Sequence, residues 1–366
     1  MQTSRIAIVG AGLAGLYAAY LLEQRGITDY VVLEARERVG GRIASVVLND
    51  EGAQDSVTAA FDLGPSWFWP GFQHALGELV QSLGLVSFVQ HETGDMIVER
   101  SHQTPPVRMQ GFVNQPSSMR LRGGMKALTD ALHLRIDPSR ILTGKAVQSM
   151  TQTPDGPVEL LCGAGQRYVA QHVLLAVPPR LASQAIKFSP PLPQQLIHQW
   201  AGTATWMAPH AKYVALYSTP FWRDQQLSGE ARSLLGPLGE IHDASHPGGH
   251  SALFGFFSLP VNAREQLSDE ALRQHCRAQL ARLFGPNAAS PLLDVIKDWA
   301  REPFTATNAD QIPSEHHGIA PSNRAAEGPW QHRLTGIGSE WGEHYAGYLA
   351  GAIEAAERGV ADLLAK

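Results

Sequence analysis

The sequence predicts an α/β fold that begins with a parallel β-sheet covered by helices. Three features near the amino terminus support this prediction. Residues 4–9 are a short apolar run rich in β-branched residues, residues 10–26 combine a glycine-rich turn with helical spacing of apolar residues, and residues 30–34 are a second strand-like run. Strand, glycine turn, helix and strand in this order predict a Rossmann-like dinucleotide-binding domain.

Each part of this first segment has a physical role in binding a dinucleotide. Gly10 and Gly12 allow a tight turn and the close approach of a pyrophosphate, and Gly15 lets the helix pack closely on the strand. The helix N-terminus offers free N–H groups and a partial positive charge to the phosphates. Glu34, at the end of the second run, can accept hydrogen bonds from a ribose. The motif alone leaves NAD and FAD open as ligands.

Composition excludes several classes of protein. The chain has 366 residues, 44% hydrophobic and 17% charged, with a net charge of −5, which excludes intrinsic disorder and argues against nucleic-acid binding. Its two cysteines, Cys162 and Cys276, exclude a disulfide scaffold and a cysteine zinc site, and indicate a reducing compartment. The apolar run at residues 6–22 is short for a membrane span and lacks a cleavage site. We therefore expect a soluble, cytoplasmic protein without a membrane partner.

The segment after Glu34 favours FAD. Residues 35–42 read Ala-Arg-Glu-Arg-Val-Gly-Gly-Arg, which brings a second backbone loop and the Arg42 guanidinium towards the diphosphate. From Ile6 to Arg42 the chain resembles the flavin-containing amine oxidase family, which includes monoamine and polyamine oxidases and L-amino-acid oxidases. In that family the Gly-Gly-Arg motif belongs to an FAD site, so the resemblance implies FAD as the cofactor.

Two segments further along the chain match the same family. Residues 61–70, Phe-Asp-Leu-Gly-Pro-Ser-Trp-Phe-Trp-Pro, resemble the family segment that runs past the flavin ring. Taken alone, the clustered aromatics Trp67 and Trp69 are more typical of a packed core. Val147 matches the family position whose backbone holds the adenine.

The most informative middle segment is the alternating strand at residues 211–217, followed by Pro-Phe-Trp at 220–222. Lys212 lies in its buried-looking first half and matches the family lysine that holds a water against flavin N5. A cation there stabilises negative charge on the reduced ring and assists reaction with dioxygen. For a lysine without this context, a solvated side chain is the more common interpretation. Trp299 falls where the family has a tryptophan next to this lysine.

The carboxyl-terminal run at residues 334–358 again predicts strand, turn and helix, and resembles the family's ending. There the acid, here Glu340, bonds the ribityl chain, and Leu349 supplies the backbone N–H at the start of the last helix. Tyr348 matches one wall of the aromatic cage in front of the flavin. The second cage residue has no clear counterpart. Ala309 is nearest by spacing, and Phe304 or Trp69 are the candidates to replace it.

Neither a metal site nor a covalent flavin is expected. His242, His246 and His250 are evenly spaced, but Pro247-Gly248-Gly249 breaks any helix that would align them, and the family has a hairpin here. No cysteine follows Cys276, so the thioether link of some family members cannot form in the corresponding region. We expect FAD to be held non-covalently.

The resemblance implies a discontinuous FAD-binding domain, residues 1–77, 121–200 and 302–366. It also implies a substrate domain of mixed sheet plus helices, residues 78–120 and 201–301. Between residues 85 and 120 the chain is much shorter than in typical members, which carry a helical roof there. Gly94, Pro105, Pro106, Gly111 and Pro116 predict a loop instead. We therefore expect a more open active site, a substrate that brings its own cover, or a second copy or another partner that covers the site.

The resulting hypothesis is an FAD-dependent oxidase of a small-molecule amine that uses O2 and releases hydrogen peroxide. Alternatives are an FAD-dependent C–C desaturase or oxidase of the same fold, and a flavin-binding subunit without turnover. Lys212 and Tyr348 are the predicted catalytic residues, and Trp67, Trp69, Trp299 and Tyr348 the predicted substrate residues. The predicted cofactor-binding residues are Gly10, Gly12, Leu13, Ala14, Gly15, Glu34, Ala35, Arg36, Gly41, Arg42, Gly64, Pro65, Ser66, Trp67, Val147, Glu340 and Leu349.

Overall fold

The structure, a computed structural model, describes residues 1–47, 60–152, 156–311 and 319–365. Within these ranges the α-helices are α1 (Leu13–Glu23), α2 (His74–Ser82), α3 (Lys126–His133), α4 (Pro179–Ala185), α5 (Gln194–Gly202), α6 (Phe221–Asp224), α7 (Val261–Arg264), α8 (Asp269–Phe284) and α9 (Leu349–Leu364). None of these helices combines the length and the apolar character that a membrane crossing requires.

The strands of the described residues form two large sheets and two short two-stranded ones. They are β1 (Gln2–Val9), β2 (Tyr30–Leu33), β3 (Ser45–Val47), β4 (Ala60–Asp62), β5 (Ser87–Val89), β6 (Asp95–Glu99), β7 (Val107–Gln110), β8 (Met119–Leu121), β9 (Ile141–Leu142), β10 (Val147–Gln152), β11 (Val158–Cys162), β12 (Arg167–Leu175), β13 (Lys187–Ser189), β14 (Ala211–Tyr217), β15 (Leu227–Ser233), β16 (Leu238–Asp243), β17 (Ser251–Phe257), β18 (Leu293–Asp298) and β19 (Leu334–Gly336).

The first sheet confirms the predicted strand, turn, helix and strand at the amino terminus. Its order is β13-β10-β11-β12-β1-β2-β9, with β19 also paired to β12, and β1 runs parallel to both β2 and β12. Successive residues of β1 face opposite cores. Ile6 and Ile8 pack with α1, α3 and α9, whereas Ala7 and Val9 pack on the other face with α4 and α5. The carboxyl ends of β1 and β2 meet at one edge, where such sheets bind ligands.

The second sheet is mixed, with the order β18-β14-β17-β16-β15-β6-β7. All residues of β14 are buried, and α8 covers one face of the sheet through Leu272, Cys276 and Leu280. β14 pairs antiparallel with β17 and β18, which sets Lys212 opposite Phe256 and Lys297. This register places the lysine near the start of a buried strand that is paired on both sides.

The prediction of a loop across residues 85–120 is wrong. This stretch contains β5, β6, β7 and β8, and β6 joins the second sheet by pairing parallel with β15. β7 is an edge strand whose residues are all exposed, so its sequence lacks the alternation that marks a half-buried strand. The second sheet thus takes strands from residues 95–110 and 211–298. The exact domain boundaries stay a prediction.

Candidate active site

The glycine turn after β1 is shaped by close backbone approaches. Gly10 has φ +103°, in the region that favours glycine, and its N–H donates to the Leu33 carbonyl at 2.8 Å. A Cβ atom on Gly15 would lie 1.9 Å from the Gly10 carbonyl oxygen, so only glycine lets α1 pack this closely. A Cβ on Gly12 would meet nothing nearer than the Gly41 Cα at 3.8 Å. The space in front of Gly12 is therefore open to a ligand.

Glu34 is a buried carboxylate held by backbone donors. Its Oε2 accepts the Ala11 N–H at 2.7 Å and its Oε1 accepts the Arg36 N–H at 2.9 Å. An ionised carboxylate has about four acceptor positions, so Glu34 retains capacity for further donors such as ribose hydroxyls. Its place directly after β2 is the one that this role requires.

Arg42 forms a salt bridge with Glu340. Its guanidinium donates to both carboxylate oxygens of Glu340, at 2.6 and 3.1 Å, and to the Ser339 hydroxyl at 2.9 Å. The bidentate pair fixes the planar guanidinium at the wall of the cavity. Arg36 is held in a similar way, with donors to Glu302 and Thr305.

A cavity of about 600 Å³ lies between the glycine turn, the second sheet and the N-terminus of α9. All predicted cofactor, substrate and catalytic residues line it except Gly15 and Glu340. Gly15 packs against the turn, and Glu340 supports Arg42 from behind. The structure thus brings together residues separated by most of the chain, while their individual roles towards a cofactor stay predictions.

Lys212 is almost fully buried, with 2% of its surface exposed, and it is one of the residues that line the cavity. Nζ donates to the Ser66 hydroxyl at 2.7 Å and to the Gly64 carbonyl at 3.2 Å, and it lies 3.9 Å from the centroid of the Phe254 ring. Burial lowers the pKa of Lys212 to about 7, although the nearby Asp62 carboxylate opposes this shift. With this pKa, the Lys212 side chain can gain or lose a proton near neutral pH.

The charges around Lys212 form a buried group with Asp62 and Arg120. Burial raises the pKa of Asp62 and lowers that of Arg120, and each is opposed by the charge of the other. Asp62 Oδ1 accepts the Met125 N–H at 2.8 Å, and Arg120 donates to two backbone carbonyls in the turn between β16 and β17. The sequence analysis missed Arg120, because its position after an irregular stretch gives no signal of burial.

Three indole rings form much of the apolar wall, and each uses its N–H within the protein. Trp67 donates to Gln90 at 2.9 Å, Trp69 to Ser118 at 3.0 Å, and Trp299 to the Leu63 carbonyl at 3.0 Å. Since their polar atoms are satisfied, these side chains present rings rather than donors to the cavity. The wall is suited to an apolar ligand group.

Tyr348 is the N-cap residue of α9, is 41% exposed and also lines the cavity. The ring beside it belongs to Trp206, whose centroid lies 5.4 Å away at an interplanar angle of 30°. Sequence analysis did not single out Trp206, nor the lining residues Met207, His210 and Phe256. The one available signal was a tryptophan a few residues before Lys212, in a segment without periodicity. Ala309, the nearest candidate by spacing, is not among the lining residues, whereas Phe304 is.

The histidines at 242, 246 and 250 belong to the hairpin between β16 and β17, as predicted. His242 hydrogen bonds Glu240 and its ring packs edge-on against Trp67, while His246 hydrogen bonds the Ala60 carbonyl. Within the described ranges, the residues close enough to share a metal ion are Glu343, His344 and Glu354, at the surface. Both cysteines are buried in the cores and outside the cavity lining.

The residues present fit FAD. The first turn of α1 contains no acidic residue and its N-cap, Gly12, offers no side-chain oxygen, so its N–H groups suit a phosphate. The first turn of α9 likewise contains no acidic residue, and the dipole of this helix favours negative charge at its N-terminus. A carboxylate with free acceptor positions, a glycine turn with free N–H groups and a second helix terminus therefore lie around one continuous cavity.

The chain is similar to several known flavin-containing proteins. The family model described as flavin containing amine oxidoreductase matches residues 93–364, and that of an NAD(P)-binding Rossmann-like domain matches residues 8–83. The chain is 23% identical to the probable flavin-containing monoamine oxidase A of Dictyostelium discoideum, over 96% of both chains. It is 26% identical to putrescine oxidase of Kocuria rosea, over 96% of this chain and 94% of that protein.

The structure of wild-type putrescine oxidase bound to putrescine superimposes with a TM-score of 0.80 at 22% identity, covering 100% of this chain and 99% of that one. This likeness shows that the fold is the one predicted, a Rossmann-like domain with a second domain of mixed sheet and helices. The family match covers well over half of the chain. The chain belongs to the flavin-containing amine oxidoreductases, and it is an FAD-dependent oxidoreductase.

Proposed function

We propose that the protein oxidises a primary monoamine with an apolar carbon chain, with O2 as the electron acceptor. The observation that carries this proposal is the chemistry of the cavity wall. Glu34 is the only carboxylate among the described residues that line the cavity, and it is engaged at the glycine turn. A diamine would leave its second ammonium without an anionic partner beside a wall of aromatic rings, which is costly. The partner here is a small-molecule amine.

An amino acid fits the cavity less well than a monoamine, because its carboxylate would also need a partner of opposite charge. Arg36 and Arg42 are the arginines among the described lining residues, and their guanidiniums are paired with Glu302 and Glu340. A substrate carboxylate would therefore lack a free guanidinium to bind it. The arginine pairs instead stand at the part of the cavity where the glycine turn lies, which suits the cofactor.

FAD would be held non-covalently by the glycine turn, Glu34, Arg42 and the N-terminus of α9. When bound, FAD would supply a two-electron acceptor: a hydride leaves the carbon next to the amine nitrogen and a proton leaves the nitrogen, water converts the imine to a carbonyl compound and ammonia, and O2 takes up the two electrons and two protons to become hydrogen peroxide. The protein contributes an apolar wall of aromatic rings and a buried lysine. Lys212 holds its ammonium in place through Ser66 and Gly64, and its lowered pKa lets it hold or release a proton near neutral pH.

Hydrogen peroxide release tests this function. The purified yellow protein is incubated with butylamine, benzylamine, putrescine and L-phenylalanine, and peroxide is measured with a peroxidase-coupled dye. We expect turnover with butylamine or benzylamine and at least tenfold lower kcat/KM for putrescine and L-phenylalanine. Added catalase should return half of the consumed O2. Flavin that no amine reduces under anaerobic conditions would overturn the proposal, and a preference for putrescine would overturn the choice of a monoamine.

A further inference from the structure

We propose that Trp206 is a specificity-determining residue that limits how wide the carbon chain of the substrate can be. This inference rests on the proposed function, because it concerns the amine that enters the same cavity. Trp206 belongs to residues 203–210, which join α5 to β14 and are called here the wall segment. Three of its side chains, Trp206, Met207 and His210, line the cavity. The wall segment thus closes one side of a site whose usual helical roof is short in this chain.

The backbone of the wall segment is tightly turned. The Ala208 N–H donates to the Thr205 carbonyl and the His210 N–H to the Met207 carbonyl, both at 3.1 Å. Met207 has φ +62°, a left-handed conformation that costs a residue with a side chain about 1 kcal/mol or more. Such a conformation persists where surrounding contacts impose it, and it fixes the direction in which the preceding indole leaves the backbone.

Contacts at both ends hold the wall segment. The Thr205 N–H donates to Asp310 Oδ1 at 3.0 Å, and Asp310, only 2% exposed, pairs with Arg180 at 2.6 Å. At the other end, the backbone N–H of Trp299 donates to the His210 carbonyl at 3.1 Å. A buried ion pair and a lining tryptophan therefore anchor the turn that carries the indole. The backbone on both sides of Trp206 is therefore held in place, and its side chain lies at the cavity.

The contact with Tyr348 defines what the wall excludes. The two rings lie 5.4 Å apart between centroids at 30°, which is direct ring contact. A Cβ on Gly347 would lie 2.6 Å from the Trp206 Cβ, so glycine at 347, with φ +83°, permits this approach. No third planar group fits between two rings in contact. The substrate chain must pass beside the indole, and the indole edge limits its width.

The test compares amines of increasing width with two variants at this position. For Trp206→Ala we expect kcat/KM for 1-naphthylmethylamine relative to butylamine to rise at least tenfold. For Trp206→Phe, which keeps a ring, the ratio should change less than threefold. Phe112→Ala is the matched control, because it truncates an exposed aromatic residue that does not line the cavity, and its ratio should equal that of the wild type.

A binding measurement separates this inference from the proposed function. Dissociation constants of 1-naphthalenemethanol and butanol are read from changes in the absorbance of the bound flavin, which needs no oxidation of an amine. In Trp206→Ala, the dissociation constant of butanol divided by that of 1-naphthalenemethanol should be at least tenfold higher than in the wild type. Unchanged ratios in Trp206→Ala, with flavin content retained, would overturn the inference. If no amine is turned over while the alcohol ratios shift, the proposed function fails and the role of Trp206 in setting width stands.

Discussion

Replacing Lys212 with methionine should remove a pH dependence from the stability of the flavin-free protein. The folded chain holds this lysine with a pKa of about 7, whereas an unfolded chain gives lysine a pKa of about 10.4. Between these values the unfolded state binds more protons than the folded state, so the free energy of unfolding rises with pH. At pH values below the folded pKa the lysine is charged in both states and this contribution is constant.

The expected size follows from the width of that window. One pKa unit corresponds to about 1.4 kcal/mol, so Lys212 should add about 3 kcal/mol to the free energy of unfolding between about pH 7 and pH 9.5. Other buried groups act in the opposite direction. Burial raises the pKa values of Tyr213, Tyr217 and Cys276, which lowers stability as the pH rises through the alkaline range. They are present in both proteins and cancel in the difference.

Urea unfolding of flavin-free wild type and Lys212→Met, followed by tryptophan fluorescence across this pH range, measures that difference. The free energy of unfolding of wild type minus that of the variant should increase with pH. Lys187→Met, which removes an exposed lysine of β13, is the control and should follow the wild type. A wild-type-minus-variant difference that stays constant within about 0.5 kcal/mol would show that Lys212 keeps an ordinary lysine pKa in the folded chain, and the electrostatic argument would fail.

Three further substitutions test the cofactor site, the substrate site and the anchor of the wall segment. Gly12→Glu should yield protein without FAD, because the new carboxylate would occupy the space of the pyrophosphate; a yellow variant would contradict this expectation. Heat precipitation of the wild type should release free FAD into the supernatant, and a pellet that stays yellow would contradict non-covalent binding. Tyr348→Ala should lower kcat/KM about tenfold, ~1.4 kcal/mol, with FAD retained; unchanged kinetics would exclude Tyr348 from the substrate site. Asp310→Ala leaves Arg180 buried and unpaired and should cost about 3–5 kcal/mol in urea unfolding; a loss below about 1 kcal/mol would contradict an anchoring role.

The parts of the site that sequence analysis could predict are those whose chemistry is local. The turn from Gly10 to Gly15 lies within one strand-turn-helix unit, so its spacing predicts its shape and a dinucleotide as its ligand, with NAD and FAD both open. Glu34 follows the next strand of the same unit, and its carboxylate is held by backbone N–H groups of that unit. Lys212 needed the family resemblance, since no local pattern distinguishes a buried lysine from a solvated one on an apolar strand.

Strand pairing across residues 85–120 could not be predicted because it depends on partners far away in the chain. Ile97 of β6 is in register with Ala231 of β15, and the intervening residues carry no signal of this pairing. β7 lies at the sheet edge with every residue exposed, so it buries neither face. A period of two appears in a sequence only where one face of a strand is covered, and this edge strand lacks that condition.

The wall segment could not be predicted from the sequence either, because its contacts also join distant parts of the chain. Trp206 meets Tyr348, and Thr205 meets Asp310, through contacts between segments that are far apart in the chain. Gly347 permits the ring contact, yet in the sequence it is one glycine among 35. A specificity residue built in this way has no motif, because its position is set by a buried ion pair elsewhere. Substitutions at such distant anchors should therefore alter which amines fit without touching the amine, and searches restricted to motif residues would overlook them.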